Sequence, residues 1–329
     1  MSLLFAQALF DLGDETYSWA DAIGAARLRG ELAPVLSRAA QGVALLEQEG
    51  AGQLSEDAIA NKTAAFRYER NLETAEEMEA WLERWGLSVL EWSDWIAAEC
   101  LRGGEQPSQT PKPADPLAVA RAVHADMVCS RQIERFALCL AERAAVRAWR
   151  CESGESEPQS EPLSDATGGN CDMLRLARDE ASFRAFLAAE VPPQAKEAEI
   201  VARRLDWARL SYETAVFETA DAAHEASFTI REDGLTLREA ASLAGAMSES
   251  HDRLVDELDD AIRDAMLGAR PREVLGPRNT RAGFELIVLV DRQPASIADP
   301  KLWARADRIV RNRILAREVS NRVRWRWRF

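Results

Sequence analysis

The chain has 329 residues, 47% hydrophobic, 29% charged and 7% aromatic, which excludes collagen-like, mucin-like and wholly disordered classes. Its 41 Lys and Arg against 55 Asp and Glu give a net charge of −14, adverse to general nucleic-acid binding because phosphates meet a repulsive mean field. From Lys301 to Phe329, however, ten basic residues face two acidic ones, a local charge of +8, so the remainder carries −22. A basic end facing an acidic body predicts docking within the molecule first and an external anionic partner second.

The opening Met1-Ser2-Leu3-Leu4-Phe5 lacks the basic front and long apolar run of a secretory signal, and no stretch reaches the roughly 18 apolar residues of a bilayer span. The five cysteines (Cys100, Cys129, Cys139, Cys151, Cys171) are odd in number and contain no C-x-x-C pair, which argues against a disulfide framework and a zinc site. His124 and His224 fall on predicted helices with no partner at metal-ligand spacing, and no phosphate-binding glycine motif occurs. These features predict a cytoplasmic protein with reduced thiols, no metal and no cofactor, not associated with a membrane.

Helical signals fill the first half. Apolar spacing predicts helices over 31–49 and 55–71. Thr74-x-x-Glu77 and Ser88-x-x-Glu91 are capping boxes, in which side chains satisfy backbone N–H groups that the helix leaves orphaned. The two helices they open carry Trp81, Trp85, Trp92 and Trp95, and Gly86 supplies a left-handed exit between them. A proline-studded linker is expected at 103–114, one long helix at 115–151, and a flexible Ser/Glu/Pro/Gly linker at 152–170, too polar to offset its ordering entropy. Connecting helices are expected over 171–206.

The pattern then changes. Leu210–Phe217 reads as a strand, followed by a helix over 219–231, a capping box Thr236-x-x-Glu239 that opens a short helix, and a helix over 256–267. Val274–Pro277 reads as a short strand and Gly283–Val290 as an apolar central one. Asp299-Pro300 starts a last helix, which runs to about Asn321.

This order resembles the parvulin domain of prolyl isomerases, in the branch fused to helical chaperone segments (the SurA and PpiC type). Leu267–Pro277 sits where such domains carry an L-x-x-G-E-V-x-x-P turn, and Gly283–Leu289 where they carry G-[YF]-H-[IV]-[IV]-x-[LV]. Arg231–Ala241 resembles their G-x-[SD]-F-x-x-[LV]-A helix, and Gly86-Leu87-Ser88 matches the G-[LM]-[ST] turn of the chaperone segments. The resemblance implies an α+β, predominantly α-helical protein: a helical chaperone-like region over 1–102, a parvulin-like domain over 207–295, and a C-terminal helix with a basic aromatic tail over 296–329 that returns to the N-terminal bundle.

The resemblance also implies a proline pocket with two sheet histidines, and here the chain departs from it. The first histidine should fall near Thr214, where none stands, and the second is replaced by Glu285. The strand expected after the third helix is missing, with Met247–Asp252, including His251, in its region. Thr214, His251 and Glu285 thus mark a degenerate pocket with no catalytic residue assigned. Trp81, Trp85, Trp92 and Trp95, extended by Phe66 and Tyr68, are either bundle core or a groove that grips a client peptide. In the tail, Val323, Trp325, Trp327 and Phe329 share one face of a period-two pattern, which either packs on the body or contacts a partner.

The favoured function is noncatalytic binding of an unfolded or leader-type polypeptide, held or presented to a peptide-modifying enzyme. The alternatives are an active peptidyl-prolyl isomerase with a rearranged pocket and an assembly subunit that uses its aromatic tail.

Overall fold

The computed structural model describes residues 6–49, 54–102, 115–155 and 172–327. The linker expected at 103–114, most of that at 152–170, Cys171 and Phe329 lie outside the described residues. The described chain is predominantly α-helical with two small antiparallel sheets, an α+β fold. It forms two compact units: residues 1–189 with 314–329, and residues 190–313.

The first unit opens with a hairpin that the sequence pattern does not announce, β1 (Ala8–Leu12) and β2 (Glu15–Ser18). Helix α1 (Trp19–Leu28) follows, started by a capping box in which Ser18 and Asp21 bind each other's backbone N–H groups. Helices α2 (Leu32–Glu49), α3 (Glu56–Tyr68), α4 (Ala75–Trp85) and α5 (Val89–Arg102) match the apolar spacing. The Thr74/Glu77 box forms, with Glu77 N–H donating to Thr74 Oγ1 at 3.1 Å, and Gly86 closes α4 at φ 64°.

The single long helix expected over 115–151 is instead two. Helix α6 (Pro116–Cys129) and α7 (Gln132–Glu152) are separated at Ser130-Arg131, where Arg131 adopts φ 61°. Ser130 Oγ donates back to the Asp126 carbonyl at 2.5 Å, closing α6 without glycine or proline. The break lets both pieces bury a face: Ala125, Met127, Val128 and Cys129 from α6, and Ile133, Phe136, Leu140 and Ala144 from α7, all in one core. Helix α8 (Met173–Ala188) is capped by Asp172, whose carboxylate accepts from Arg175 N–H at 3.0 Å.

The second unit contains α9 (Pro193–Ala202), β3 (Arg209–Phe217), α10 (Ala220–Glu232), α11 (Leu237–Leu243), β4 (Ser248–Leu254), a single 3-10 turn at Val255–Glu257, α12 (Asp260–Gly268), β5 (Val274–Thr280) and β6 (Gly283–Gln293). The strand counted as missing is therefore present as β4. Its residues Ser-Glu-Ser-His-Asp-Arg-Leu are polar because it is an edge strand, in the sheet order β4-β3-β6-β5. All three pairings are antiparallel. Ala215, Phe217, Leu286 and Val288 point to one side and pack with residues of α10 and α11; Leu210, Tyr212, Ile287 and Leu289 point to the other and pack with Ile262 and Met266 of α12.

Helix α13 (Pro300–Arg322) starts in the second unit, where Leu302 and Ala306 pack with Ile200 and Trp207, and ends in the first, where Leu315 packs with Val146, Phe183 and Phe186. It runs into β7 (Val323–Trp325), which adds to the first hairpin in the order β2-β1-β7. No described helix is long and apolar enough to cross a membrane.

Candidate functional site

The four-stranded sheet gathers the three residues expected at the degenerate pocket onto one face. Residues 212, 214 and 216 of β3 share a side by strand alternation, and the register sets Tyr212 opposite His251, Thr214 opposite Ile287, and Val216 opposite Glu285. Thr214 Oγ1 lies 2.9 Å from His251 Nε2, a hydrogen bond whose direction depends on the imidazole tautomer. The His251 ring stacks on Tyr212 with centroids 4.9 Å apart and planes at 29°.

Two glycines let the strands come this close. Gly283 opens β6 at φ 136°, and a Cβ there would stand 2.4 Å from the Phe217 carbonyl oxygen. Gly276, at φ 106°, would bring a Cβ within 2.7 Å of the Glu285 carbonyl oxygen. It sits in the irregular stretch of β5 between Leu275 and Arg278. Beyond that irregularity Arg278 falls opposite Glu285, and the two side chains form an ion pair at 3.7 Å. Glu285 thus brings its charge to the face with a counterion already beside it, which offsets part of its desolvation.

The apolar cover of this face ends near Tyr212 and Ile287, both buried with Met266 of α12. Past them the face opens: Thr214 and Glu285 are half-buried and Val216 is exposed. Burial raises the Tyr212 hydroxyl above its ordinary value, with Glu285 and Asp259 adding to the rise and Arg253 opposing it, so the phenol stays neutral. The surface therefore offers a Thr–His pair, a carboxylate–guanidinium pair and an apolar rim. One imidazole stands on it where the resemblance implies two, and it comes from β4 instead of β3 or β6. Among the described residues no cluster of His, Cys, Asp and Glu could hold a metal ion.

Sequence reasoning missed Tyr212 and Arg278. Tyr212 was legible by the period of two from Thr214, whereas Arg278 required knowing that β5 continues past Pro277 into a hairpin with β6.

The tryptophan set has a different character. Phe66 is the hub: its ring lies 5.4 Å from Trp81, 5.8 Å from Trp92 and 5.7 Å from Trp95, with the Arg70 guanidinium 3.8 Å from its centroid. Phe66, Trp85 and Trp95 are buried, and Trp81 and Trp92 partly so, all belonging to the first unit's core. Trp81, Trp92 and Trp95 thus converge on Phe66, Trp85 packs against Trp19 and Trp81, and of the four indoles Trp95 also lines a groove beside α2 and α6. Tyr68, 86% exposed, belongs to neither arrangement.

The described part of the tail packs on the body, the first of the two readings its pattern allowed. Trp325 packs edge-on to Phe10 at 5.3 Å, and Trp327 meets Trp19 at 5.4 Å and Trp85 at 5.1 Å, all within the first unit.

No family model matches the chain, and no curated protein matches it. Among solved structures it is similar to the foldase protein PrsA from Streptococcus pneumoniae str. Canada MDR_19A, at 11% identity over 95% of this chain and 92% of that one, with a TM-score of 0.26.

Proposed function

We propose that the chain is a noncatalytic, chaperone- or foldase-like holder of unfolded polypeptide, and that the open end of its parvulin-like sheet grips an extended client segment. The observation that carries this reading is the Thr214–His251 hydrogen bond beside the Glu285–Arg278 ion pair on one partly open face. An isomerase must bind the twisted imide better than the planar one, in a site that excludes water; interactions equal in both states give affinity without rate. Here the single imidazole is already engaged by Thr214, and the ion pair keeps charge and water at the place where an apolar ring would sit. Hydroxyl, imidazole, guanidinium and carboxylate can each pair with a peptide backbone in any imide geometry. The edge of β4 adds a row of backbone N–H and C=O groups suited to strand addition.

The test is paired. Saturable binding of a carboxymethylated, permanently unfolded protein, followed by anisotropy, is expected to weaken when Val216→Asp and His251→Ala are combined. Isomerisation of a proline tetrapeptide is expected to show no acceleration. Acceleration that Glu285→Ala abolishes would replace this reading with the second one, an isomerase with a rearranged pocket, which is favoured by His251 lying beside Thr214.

A further inference from the structure

The first unit has a groove between α2, α5 and α6 that the sheet site does not use. Its volume is about 390 Å³, within the range of ligand sites, roughly 300–1,000 Å³. The floor is apolar: Val43, Trp95, Ala98 and Ala122. Leu90 stands at the mouth, 69% exposed.

The charges along the groove divide into matched and unmatched. Asp126, buried at the floor, accepts from Arg38 Nη2 at 2.7 Å and from Trp95 Nε1 at 3.0 Å, so it is satisfied without a ligand. Arg102 pairs with Glu99, and its Nη2 donates to the Arg38 carbonyl at 2.8 Å over Gly42, where a Cβ would collide with it. At the mouth, three carboxylates, Glu47, Glu91 and Asp94, face one cation, Arg121. Glu91 also accepts from the Ser88 N–H at 2.8 Å as a helix cap, and it lies one turn from Asp94 on α5. Burial and then Glu91 push the Asp94 carboxyl up from its ordinary value, against Arg121, a penalty on its charged form that an arriving cation would relieve. The acidic body outside the tail steers the same class of partner.

We infer that this groove takes a cationic amphipathic segment of a client polypeptide, its apolar side chains seated on Val43, Trp95 and Ala122 and its Lys or Arg side chains at Glu47, Glu91 and Asp94. This rests on the reading that the chain holds polypeptide, and it names the class of client. A short helix can present apolar and basic residues on adjacent faces at i, i+3 and i+4, which is the geometry a three-helix groove reads.

The probes are two labelled synthetic helices of equal length, one of Lys and Leu, one of Glu and Leu, titrated against the full chain at low and high salt. The basic helix is expected to bind, more weakly in high salt, and the acidic one not. Glu47→Lys with Asp94→Lys, both at exposed positions that leave the circular dichroism unchanged, is expected to weaken binding about tenfold or more. Ala122→Trp, which fills the groove, is expected to abolish it, and Tyr68→Ser, at an exposed position outside the groove lining, to leave it unchanged. Equal binding of the acidic helix, or binding indifferent to the charge reversal, overturns the inference. If unfolded polypeptide still binds and only sheet variants release it, the groove inference falls and the holder reading stands. If the basic helix binds the groove while unfolded polypeptide does not bind at all, the groove stands and the holder reading falls.

Discussion

Thr214 on β3 and His251 on β4 are diagonal neighbours, not register partners, and meet at 2.9 Å because His251 is held flat against Tyr212, its true partner across the strands. The hydrogen bond and the ring contact are therefore one unit. Thr214→Val and His251→Phe, combined in a double-mutant cycle by urea unfolding, are expected to show a coupling of about 0.5–1 kcal/mol. Additive effects would mean that the two side chains act independently.

Trp327 sits between Trp19 and Trp85 with the Arg84 guanidinium 4.5 Å from its ring, contacts that anchor the tail. Because Trp327 is only half-buried, Trp327→Ala is expected to cost about 2–3 kcal/mol, below the range of a fully enclosed indole. Arg326→Ala should be nearly silent: its 2.6 Å bond to Asp11 is exposed and screened. Equal losses from both would show that charge, not packing, holds the strand. Thermal or urea unfolding of the two variants decides it.

Asp126 is the one acceptor for two donors, Arg38 and Trp95 Nε1. Asp126→Ala leaves the indole N–H without its partner, while the guanidinium, about a third exposed, recovers some hydration. A loss of about 2–3 kcal/mol is expected, with Asp126→Asn intermediate. Chemical denaturation of both variants measures the difference.

His124 supplies a pH dependence. Burial pushes its imidazole below the ordinary value, opposed by Glu91 and by a hydrogen bond with the Trp85 backbone. The folded state therefore resists a proton that the unfolded state accepts near pH 6.5. This contribution is full above that pH and is lost as the pH falls through the lower folded value. The urea midpoint should decline between about pH 7.5 and pH 5, and His124→Gln should flatten that decline. An unchanged slope would assign the acid sensitivity to carboxylates.

Much of the helical architecture was legible because its signals are local. Thr74 with Glu77, Ser88 with Glu91 and Thr236 with Glu239 each place cap and partner three residues apart, and all three boxes form. The Thr214, His251 and Glu285 positions were legible as a set, and the structure brings them to one face. What stayed hidden depends on distant partners. Ala8–Leu12 alternates too briefly to read as a strand until Val323–Trp325 lies beside it. β4 lacks an apolar stripe because only one of its edges is paired, and the α6–α7 break hangs on a left-handed Arg131 that no glycine or proline announces. The tryptophans fall in i,i+3 and i,i+4 pairs as spacing predicts, but the convergence of Trp81, Trp92 and Trp95 on Phe66 arises from tertiary packing that spacing alone does not encode.

The strand at Ala8–Leu12 leaves the ribosome about three hundred residues before its neighbour at Val323–Trp325. Until then the early hairpin has an unclaimed side and Trp19 lacks its late-arriving neighbour, so the first unit cannot complete itself during elongation. The second unit, whose residues are contiguous and finish at 313, has all its own parts earlier. Maturation of this protein thus runs from the middle outward, and a nascent chain stalled before residue 323 would expose the same β1 edge that the finished molecule keeps covered.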